Sequence, residues 1–257
     1  MAGRASLTDK WSAWLVNSDR WPWRSIGVVH AGGADRLRRG LLWTGPPLMC
    51  GIRHDPWVDA EWSRWRQEIF GDPYLVWHDG PDFSAMLAAA RYDRAHVARM
   101  LRAGLAEGDA LAAQGFAQLA ESRLAPADAA DLLRRAAAGA GGVFLIRVAE
   151  ALYLLTADPS WSDRIVDVLR HDDSEFVRLD AAIALAGFPA APASVAALAA
   201  AVNDEAYLVR YHAATTLIQF AGGTGGFADG PGLFARITSE DPAQWRSAAD
   251  ELAAHVR

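Results

Sequence analysis

Three His-Asp doublets are the residues of this chain whose types and spacing could bind a metal ion. Hydrolysis of a phosphate ester by metal ions would need such a doublet together with further His and Asp side chains on neighbouring helices. Each doublet lies beside Pro, Gly or a second Asp, where Asp commonly caps a helix or shapes a turn. We therefore favour turns over metal ligation, and the sequence predicts no cofactor. The doublets are His54-Asp55, His78-Asp79 and His171-Asp172.

Two further features could carry chemistry, a cysteine and a glycine-rich segment. Cys50 is the only cysteine, but its surroundings, PPLMCGI, contain nothing that would stabilise a thiolate nucleophile. The segment AGGTGGFADGPG (221–232) lacks the Lys-Ser/Thr ending of a phosphate-binding loop and is typical of a flexible connector. Catalysis requires polar groups that converge in a pocket, and no such set is visible. The sequence leans against an enzyme without excluding one.

The composition indicates a folded chain with a large core, since 52% of the 257 residues are hydrophobic. A single cysteine fits a reducing compartment. The first residues, MAGRASLTDKWSAW, lack the continuous apolar run of a signal peptide. No window approaches the roughly 18 apolar residues that a membrane span requires. We expect a cytoplasmic protein that does not contact membranes.

Charge is unevenly distributed along the chain. Residues 1–80 carry 10 basic and 9 acidic side chains, whereas the remainder carries 15 basic against 22 acidic ones. Affinity for nucleic acids comes largely from the neutralisation of phosphates by basic side chains. The acidic body therefore argues against nucleic acid as the partner.

Two segments near the C-terminal end repeat one another. DDSEFVRLDAAIALAGF (172–188) and DEAYLVRYHAATTLIQF (204–220) coincide at six positions when Arg178 is laid on Arg210. A weaker copy, VFLIRVAEALYLL, places Arg147 in the same position 31 residues earlier. A period in the low thirties is the signature of stacked repeats.

Each copy has the apolar spacing of an amphipathic helix and is preceded by a second amphipathic run. In the copy that holds Arg178, apolar residues fall at i, i+4, i+7, i+8 and i+11 from Val177. The unit is thus a helical hairpin, which must stack on its neighbours to bury its apolar face. The expected hairpins span about 94–121, 126–156, 159–188 and 191–221, with less regular pairs at 56–92 and 231–257.

The recurring Asp-Val-Arg-Ala-Ala-Leu pattern resembles the HEAT repeat, in the short form also found in bilin-lyase-type proteins. The resemblance is closest over about 140–222, extends back to about 94 and does not reach residues 1–55. It implies an all-α fold, a right-handed α-α superhelix of about five or six hairpins.

In the HEAT family the repeated arginine pairs with acidic residues in the turns between helices, which forms a ladder along the stack. The resemblance therefore implies a structural role for Arg147, Arg178 and Arg210. Contact with a ligand is the alternative role. The turn acids expected to pair with the ladder are Asp172, Asp173 and Asp204.

The first 80 residues differ in composition from the rest, since they hold nine of the eleven tryptophans. An open-ended solenoid needs a cap over the exposed apolar edge of its first repeat, and this region is one candidate. The alternative is an aromatic recognition surface, because Trp and Arg are common anchors at interfaces. We expect a Trp-rich capping region over 1–55 and a HEAT-like solenoid over 56–257.

The side of the second helices that faces away from the core is also apolar, in three successive repeats. Second helices line the concave surface of a solenoid, and a large exposed apolar surface usually marks a binding site. The alternative is that these helices are apolar all round because neighbours, or the N-terminal segment, cover them. The expected contact residues are Leu155, Leu179, Ile183, Tyr211 and Ile218, with Glu150, Asp180 and His212 beside them for specificity.

The function that follows is a non-enzymatic interaction module that holds a protein or peptide partner on this concave strip. An adaptor, an assembly chaperone and the antidote of a toxin pair all fit. The second hypothesis is a HEAT-like enzyme that acts on nucleic acid, as alkylpurine DNA glycosylases do, or on a tetrapyrrole chromophore. The His-Glu doublets of the iron-binding deoxyhypusine hydroxylase, another HEAT-type enzyme, are missing, which excludes that activity.

Overall fold

In a computed structural model the chain divides into two units, residues 1–56 and 57–257. The structure describes residues 56–72, 76, 80–223, 227 and 231–256, with the side chains of 56–60 and 231 left out. The predicted capping region, 1–55, lies outside the described residues. Its role and its boundary with the solenoid stay predictions.

The described residues form twelve α-helices and no strand. The helices are α1 (Pro56–Phe70), α2 (Ser84–Tyr92), α3 (Arg94–Ala106), α4 (Ala110–Glu121), α5 (Ala129–Ala137), α6 (Gly142–Thr156), α7 (Trp161–His171), α8 (Glu175–Leu185), α9 (Pro192–Ala201), α10 (Tyr207–Phe220), α11 (Pro231–Ile237) and α12 (Pro242–His255). From α3 onward, consecutive helices pair as hairpins whose limits match the predicted pairs, whereas α2 contacts α3 and α4. The all-α class is confirmed.

The hairpins stack in two layers. The second helices α4, α6, α8 and α10 contact one another in that order, and behind them α3 contacts α5 and α7 contacts α9. One apolar core runs through the whole stack from Trp62 to Leu252. This is the arrangement of an α-solenoid, in which no hairpin buries its apolar side chains alone.

Aspartates begin several of the helices. The carboxylates of Asp93, Asp109 and Asp241 accept hydrogen bonds from backbone N–H groups in the first turns of α3, α4 and α12. Each bond satisfies a donor that the helix itself leaves unpaired. The aspartates that precede these three helices therefore help to fix where they start.

Helix α1 covers the α3–α4 hairpin with a tryptophan. Trp62 is 1% exposed, and its indole Nε1 donates to Asp109 Oδ2 at 3.0 Å. Arg66 Nε pairs with the same oxygen at 3.0 Å. Gly104 provides the room, because a Cβ there would lie 2.6 Å from the Trp62 ring. The described part of the Trp-rich segment thus closes the apolar edge of this hairpin.

The last pair departs from the pattern of the others. In this pair the second helix, α12, contacts both helices of the preceding hairpin, α9 and α10, whereas α11 contacts α10 and α12. Trp245 on α12 lies over the guanidinium of Arg210, 3.9 Å from the ring centroid. The packing of this pair therefore differs from that of the preceding hairpins.

Candidate functional site

Arg178 connects two successive turns of the stack. Its Nε and Nη2 donate to the two carboxylate oxygens of Asp204 at 2.7 and 3.0 Å. Its Nη1 donates to the backbone carbonyls of Asp172 and Asp173, at 2.9 and 3.0 Å. The hydrogen bond that the guanidinium donates to Asp204 raises the pKa of Arg178 above its ordinary value. A bidentate pair of this kind is among the stronger ones in proteins.

Arg210 occupies the same position one repeat later but has no acidic side chain as its partner. Its Nη1 donates to the carbonyls of Asp204 and Glu205 in its own turn, at 2.8 and 2.9 Å. Its Nε donates to the carbonyl of Ile237 at the end of α11, at 3.0 Å, and Trp245 stacks on it. Arg210 still links adjacent turns, but it does so through a carbonyl and an indole, whereas Arg178 uses a carboxylate.

Arg147 differs from the expectation, because its partners are not acids of the turns. Its Nη1 donates to Glu150 at 2.9 Å on the same helix, and its Nη2 lies 3.4 Å from Asp180 on α8. Burial opposes the charge of Arg147, yet Glu150 and Asp180 raise the pKa of the guanidinium. The group lies between α6 and α8 rather than at their ends, since Glu150 and Asp180 are side chains within the second helices.

The predicted binding strip is open on α8 and α10 and closed on most of α6. Leu179, Ile183, Tyr211 and Ile218 are half-buried, as is Leu155 at the end of α6. The α6 residues of the same strip are completely covered, because α4, α5, α7 and α8 all pack around this helix. The packing of α6 therefore fits the alternative interpretation: this helix is apolar all round because neighbouring helices cover it. The covered residues are Val148, Ala151 and Leu152, each 0% exposed.

The polar residues expected beside the strip are less accessible than the sequence suggested. His212 is only 8% exposed, and burial lowers the pKa of its imidazole to about 4. Asp180 is half-buried against Arg147, and burial raises the pKa of its carboxyl above the usual range. Neither side chain is presented to a partner in the way that a specificity residue at a surface would be.

An exposed phenylalanine marks the open part of the strip. Phe176 is 67% exposed and lies on the first turn of α8, three residues before Leu179 and on the same side of the helix. It flanks a groove of about 180 Å³ between the N-terminal ends of α8 and α10. The groove is lined by Glu175, Phe176, Leu179, Ala206, Tyr207, Leu208 and Val209.

Sequence reasoning missed Phe176, although a signal was present. On a helical wheel it falls on the side that holds Leu179 and Ile183, at i, i+3 and i+7. Phe176 lies just before the Val-Arg pair that the repeats share, so a comparison of shared positions does not single it out. A single exposed aromatic residue is common in soluble proteins, so Phe176 is informative because it continues the apolar side of Leu179 and flanks the groove.

An aromatic cluster closes the other side of Tyr211. Its ring lies 5.1 Å from that of Phe227 and 6.4 Å from that of Phe234, which is 41% exposed. Burial raises the pKa of the Tyr211 hydroxyl. Tyr211 is therefore partly a packing residue, which leaves Phe176 and Leu179 as the more accessible apolar contacts.

The His-Asp doublet that the structure describes is occupied by structural hydrogen bonds. Asp172 Oδ1 accepts from the backbone N–H of Ser174 at 3.0 Å, and His171 Nδ1 lies 3.0 Å from the carbonyl of Asp167. Among the described residues there is no group of three or more His, Cys, Asp or Glu side chains that could hold a metal ion. The other two doublets and Cys50 lie outside the part of the chain that the structure describes.

One family model matches this chain, that of HEAT repeats, over residues 162–254. This segment comprises α7 to α12 with the Arg178–Asp204 pair and the groove. Residues 162–254 are thus similar to HEAT repeats. Comparison with curated proteins and with solved structures finds no match. The described helices contain none that is long and apolar enough to cross a membrane.

The HEAT assignment confirms the family predicted from the repeated arginine pattern. The segment that matches begins at α7, close to the start of the clearest sequence copies, and ends in α12. HEAT repeats generally mediate interactions between proteins. The bilin-lyase-type detail and the cytoplasmic location stay predictions.

Proposed function

We propose that this protein is a non-enzymatic interaction module that binds a segment of a protein partner on the face of the second helices α8 and α10. The face includes Phe176, Leu179 and Ile183 on α8 and Leu208 on α10. The exposed ring of Phe176 beside the groove carries the proposal. A half-open groove with an aromatic rim is the geometry in which an apolar side chain of a partner gains the most from burial.

The size of the groove supports a protein partner over a small molecule. Its volume is about 180 Å³. Pockets for cofactors or drug-sized ligands usually measure about 300–1,000 Å³ and enclose most of the ligand. A groove of this size fits one or two apolar side chains of a peptide. A tetrapyrrole, one of the two substrates that the second hypothesis names, is too large for it.

The charge of the surrounding segment argues against a nucleic-acid enzyme. Residues 161–221 carry eight acidic and four basic side chains. Two of the four, Arg178 and Arg210, are already engaged by carbonyls and by Asp204. Phosphate binding requires accessible cations, which this face does not supply. The roles of adaptor, assembly chaperone and toxin antidote all remain compatible with the proposal.

A comparison of two aromatic variants tests the proposal. Phe176→Ser removes an exposed ring from the face, and Tyr92→Ser removes a ring that is 96% exposed on α2. Both substitutions leave the core unchanged, so both variants should fold. In quantitative affinity capture with mass spectrometry, we expect Phe176→Ser to lose a partner that wild type and Tyr92→Ser retain. Equal retention by all three proteins would overturn the proposal.

A second measurement distinguishes the enzyme hypothesis. Tight binding of duplex DNA at physiological salt, with an affinity that falls steeply as salt rises, would show that phosphate neutralisation drives the interaction. We expect no such binding. Electrophoretic or anisotropy titrations between about 50 and 200 mM salt cover the range in which the effect is large.

A further inference from the structure

The groove has acidic side chains at its rim. Glu175 lies on its α8 side, and Glu205 immediately precedes Ala206 on its α10 side. Both residues are exposed. Within the described residues, neither carboxylate makes a hydrogen bond or an ion pair. Two negative charges therefore face solvent at the edge of an apolar surface.

The two arginines close to the groove, Arg178 and Arg210, form hydrogen bonds with other groups. Arg178 gives its donors to Asp204 and to the carbonyls of Asp172 and Asp173. Arg210 gives its donors to carbonyls and stacks on Trp245. Both guanidiniums keep their charge, and Arg178 interacts electrostatically with Glu175. The segment 172–210 nevertheless carries six acidic side chains against these two arginines, so a partner meets a net negative charge at this place.

The helix dipoles do not reverse this potential. The groove lies at the N-terminal ends of α8 and α10, where each helix carries a partial positive charge of about one half. Glu175 is in the first turn of α8, and Glu205 lies two residues before α10 begins. A full negative charge at each end exceeds the partial positive one, so the acidic sign remains.

We propose that the partner segment is basic, with one apolar side chain seated in the groove and Arg or Lys residues on either side of it facing Glu175 and Glu205. This inference rests on the proposed function and names the chemistry of the partner. Complementary charge at a rim mainly sets association rate and specificity, whereas the buried apolar anchor supplies most of the affinity. The two parts of the site therefore predict two separable effects.

Three labelled synthetic peptides of equal length test the inference by fluorescence anisotropy. The first has a central leucine flanked by arginines, the second has the same leucine flanked by glutamates, and the third has serine between the arginines. We expect the first peptide to bind the full-length protein, the second not to bind, and the third to bind at least about tenfold more weakly, which is the loss expected for a buried anchor.

Variants of the protein separate the contribution of charge from that of the groove. Glu175→Gln combined with Glu205→Gln should weaken binding of the first peptide about fivefold and flatten its dependence on salt. The matched control is Asp163→Asn combined with Asp167→Asn, which removes two exposed carboxylates from α7 and should leave affinity unchanged.

Three results would overturn the inference. One is equal binding of the peptides flanked by arginine and by glutamate, and the second is unchanged affinity in the Gln variants. The third is no binding of the first peptide at protein concentrations up to about 1 mM, where even weak anchors bind. If both leucine peptides bind and Phe176→Ser abolishes both, the proposed function survives while the basic partner is excluded.

Discussion

At the scale of single residues, the repeated arginine shows how one position takes different partners along the stack. Arg178 pairs with a carboxylate of the next turn, and Arg147 pairs with acids of the second helices. Arg210 instead donates to a carbonyl and stacks on an indole. What the three share is a guanidinium that bonds groups of neighbouring parts of the protein. The sequence indicates the position, but the partner depends on which atoms the neighbouring repeat brings close.

Arg178 should contribute measurably to stability, because its removal leaves Asp204 and two carbonyls without their donor. The side chains are 20% and 12% exposed, so water replaces the lost bonds incompletely. We expect Arg178→Ala to lower the free energy of unfolding by about 2–4 kcal/mol. Urea denaturation measures the change.

The matched control for this prediction is Arg134→Ala. Arg134 pairs with Asp131 on the same helix at 2.7 Å, but the two side chains are 49% and 68% exposed. Pairs of this kind contribute little, so the change should stay within about 0.5 kcal/mol. Equal losses in the two variants would contradict a special role for the pair between turns.

His212 should make stability depend on pH. Burial lowers the pKa of His212 from 6.5 to about 4, so the unfolded chain takes up the proton first as pH falls. Stability from the neutral imidazole is present above about pH 6.5 and is lost between about pH 6.5 and 4, by at most roughly 3 kcal/mol. Urea denaturation at a series of pH values measures this loss.

His212→Leu isolates this contribution, since the carboxylates that also titrate in this range are the same in both proteins. The difference in unfolding free energy between wild type and variant should change with pH between 4 and 6.5 and be constant above it. A difference that does not vary with pH would show that His212 is accessible to protons in the folded state.

At the scale of helices, two glycines allow the first complete hairpin to pack closely. A Cβ at Gly104 would lie 2.6 Å from the Trp62 ring and 2.7 Å from the Cβ of Ala112. A Cβ at Gly115 would lie 2.6 Å from a methyl group of Leu101. Glycine weakens an isolated helix, so its presence in two neighbouring helices indicates a packing requirement.

Gly104→Ala should destabilise the protein even though alanine favours helix. The added methyl group must displace the ring of Trp62, which is fully buried, and overpacking of this kind costs about 1–3 kcal/mol. Thermal or urea unfolding measures the effect. Gly139→Ala is the control, because a Cβ at Gly139 meets nothing within 4 Å and should change stability little.

The helices themselves could be predicted from the sequence, whereas their exposure could not. A period of 3.6 residues gives the limits of each hairpin, because apolar side chains on one face must meet the core. The strip on α6 shows the same apolar pattern as those on α8 and α10. The packing of α4, α5, α7 and α8 around α6 covers Val148 and Leu152, and no feature of the α6 sequence reports those contacts.

At the scale of the described stack, α6 is more deeply enclosed than the last helix, α12, which has only three buried residues. Helix α6 has seven buried residues, including Arg147, and contacts four other helices. In a solenoid, stability is a sum over repeats and their neighbours, so an end repeat with one neighbour opens more easily.

Hydrogen exchange should follow this order. We expect the backbone amides of α6 to exchange slowest and those of α11 and α12 to exchange markedly faster, since α11 and α12 can separate from α9 and α10 without unfolding the rest. Mass spectrometry of exchanged and digested protein measures the rates. Equal protection of α6 and α12 would mean that the stack opens only as one cooperative unit.

The Arg178–Asp204 pair also has a consequence for recognition. It joins α8 to the turn that leads into α10, and these two elements form the walls of the groove. The pair therefore holds the two walls at a fixed separation in the free protein. Binding then loses less conformational entropy than it would if the ligand had to order the walls. By keeping the groove in its binding conformation, Arg178 would slow the dissociation of a ligand bound beside Phe176 without contacting that ligand.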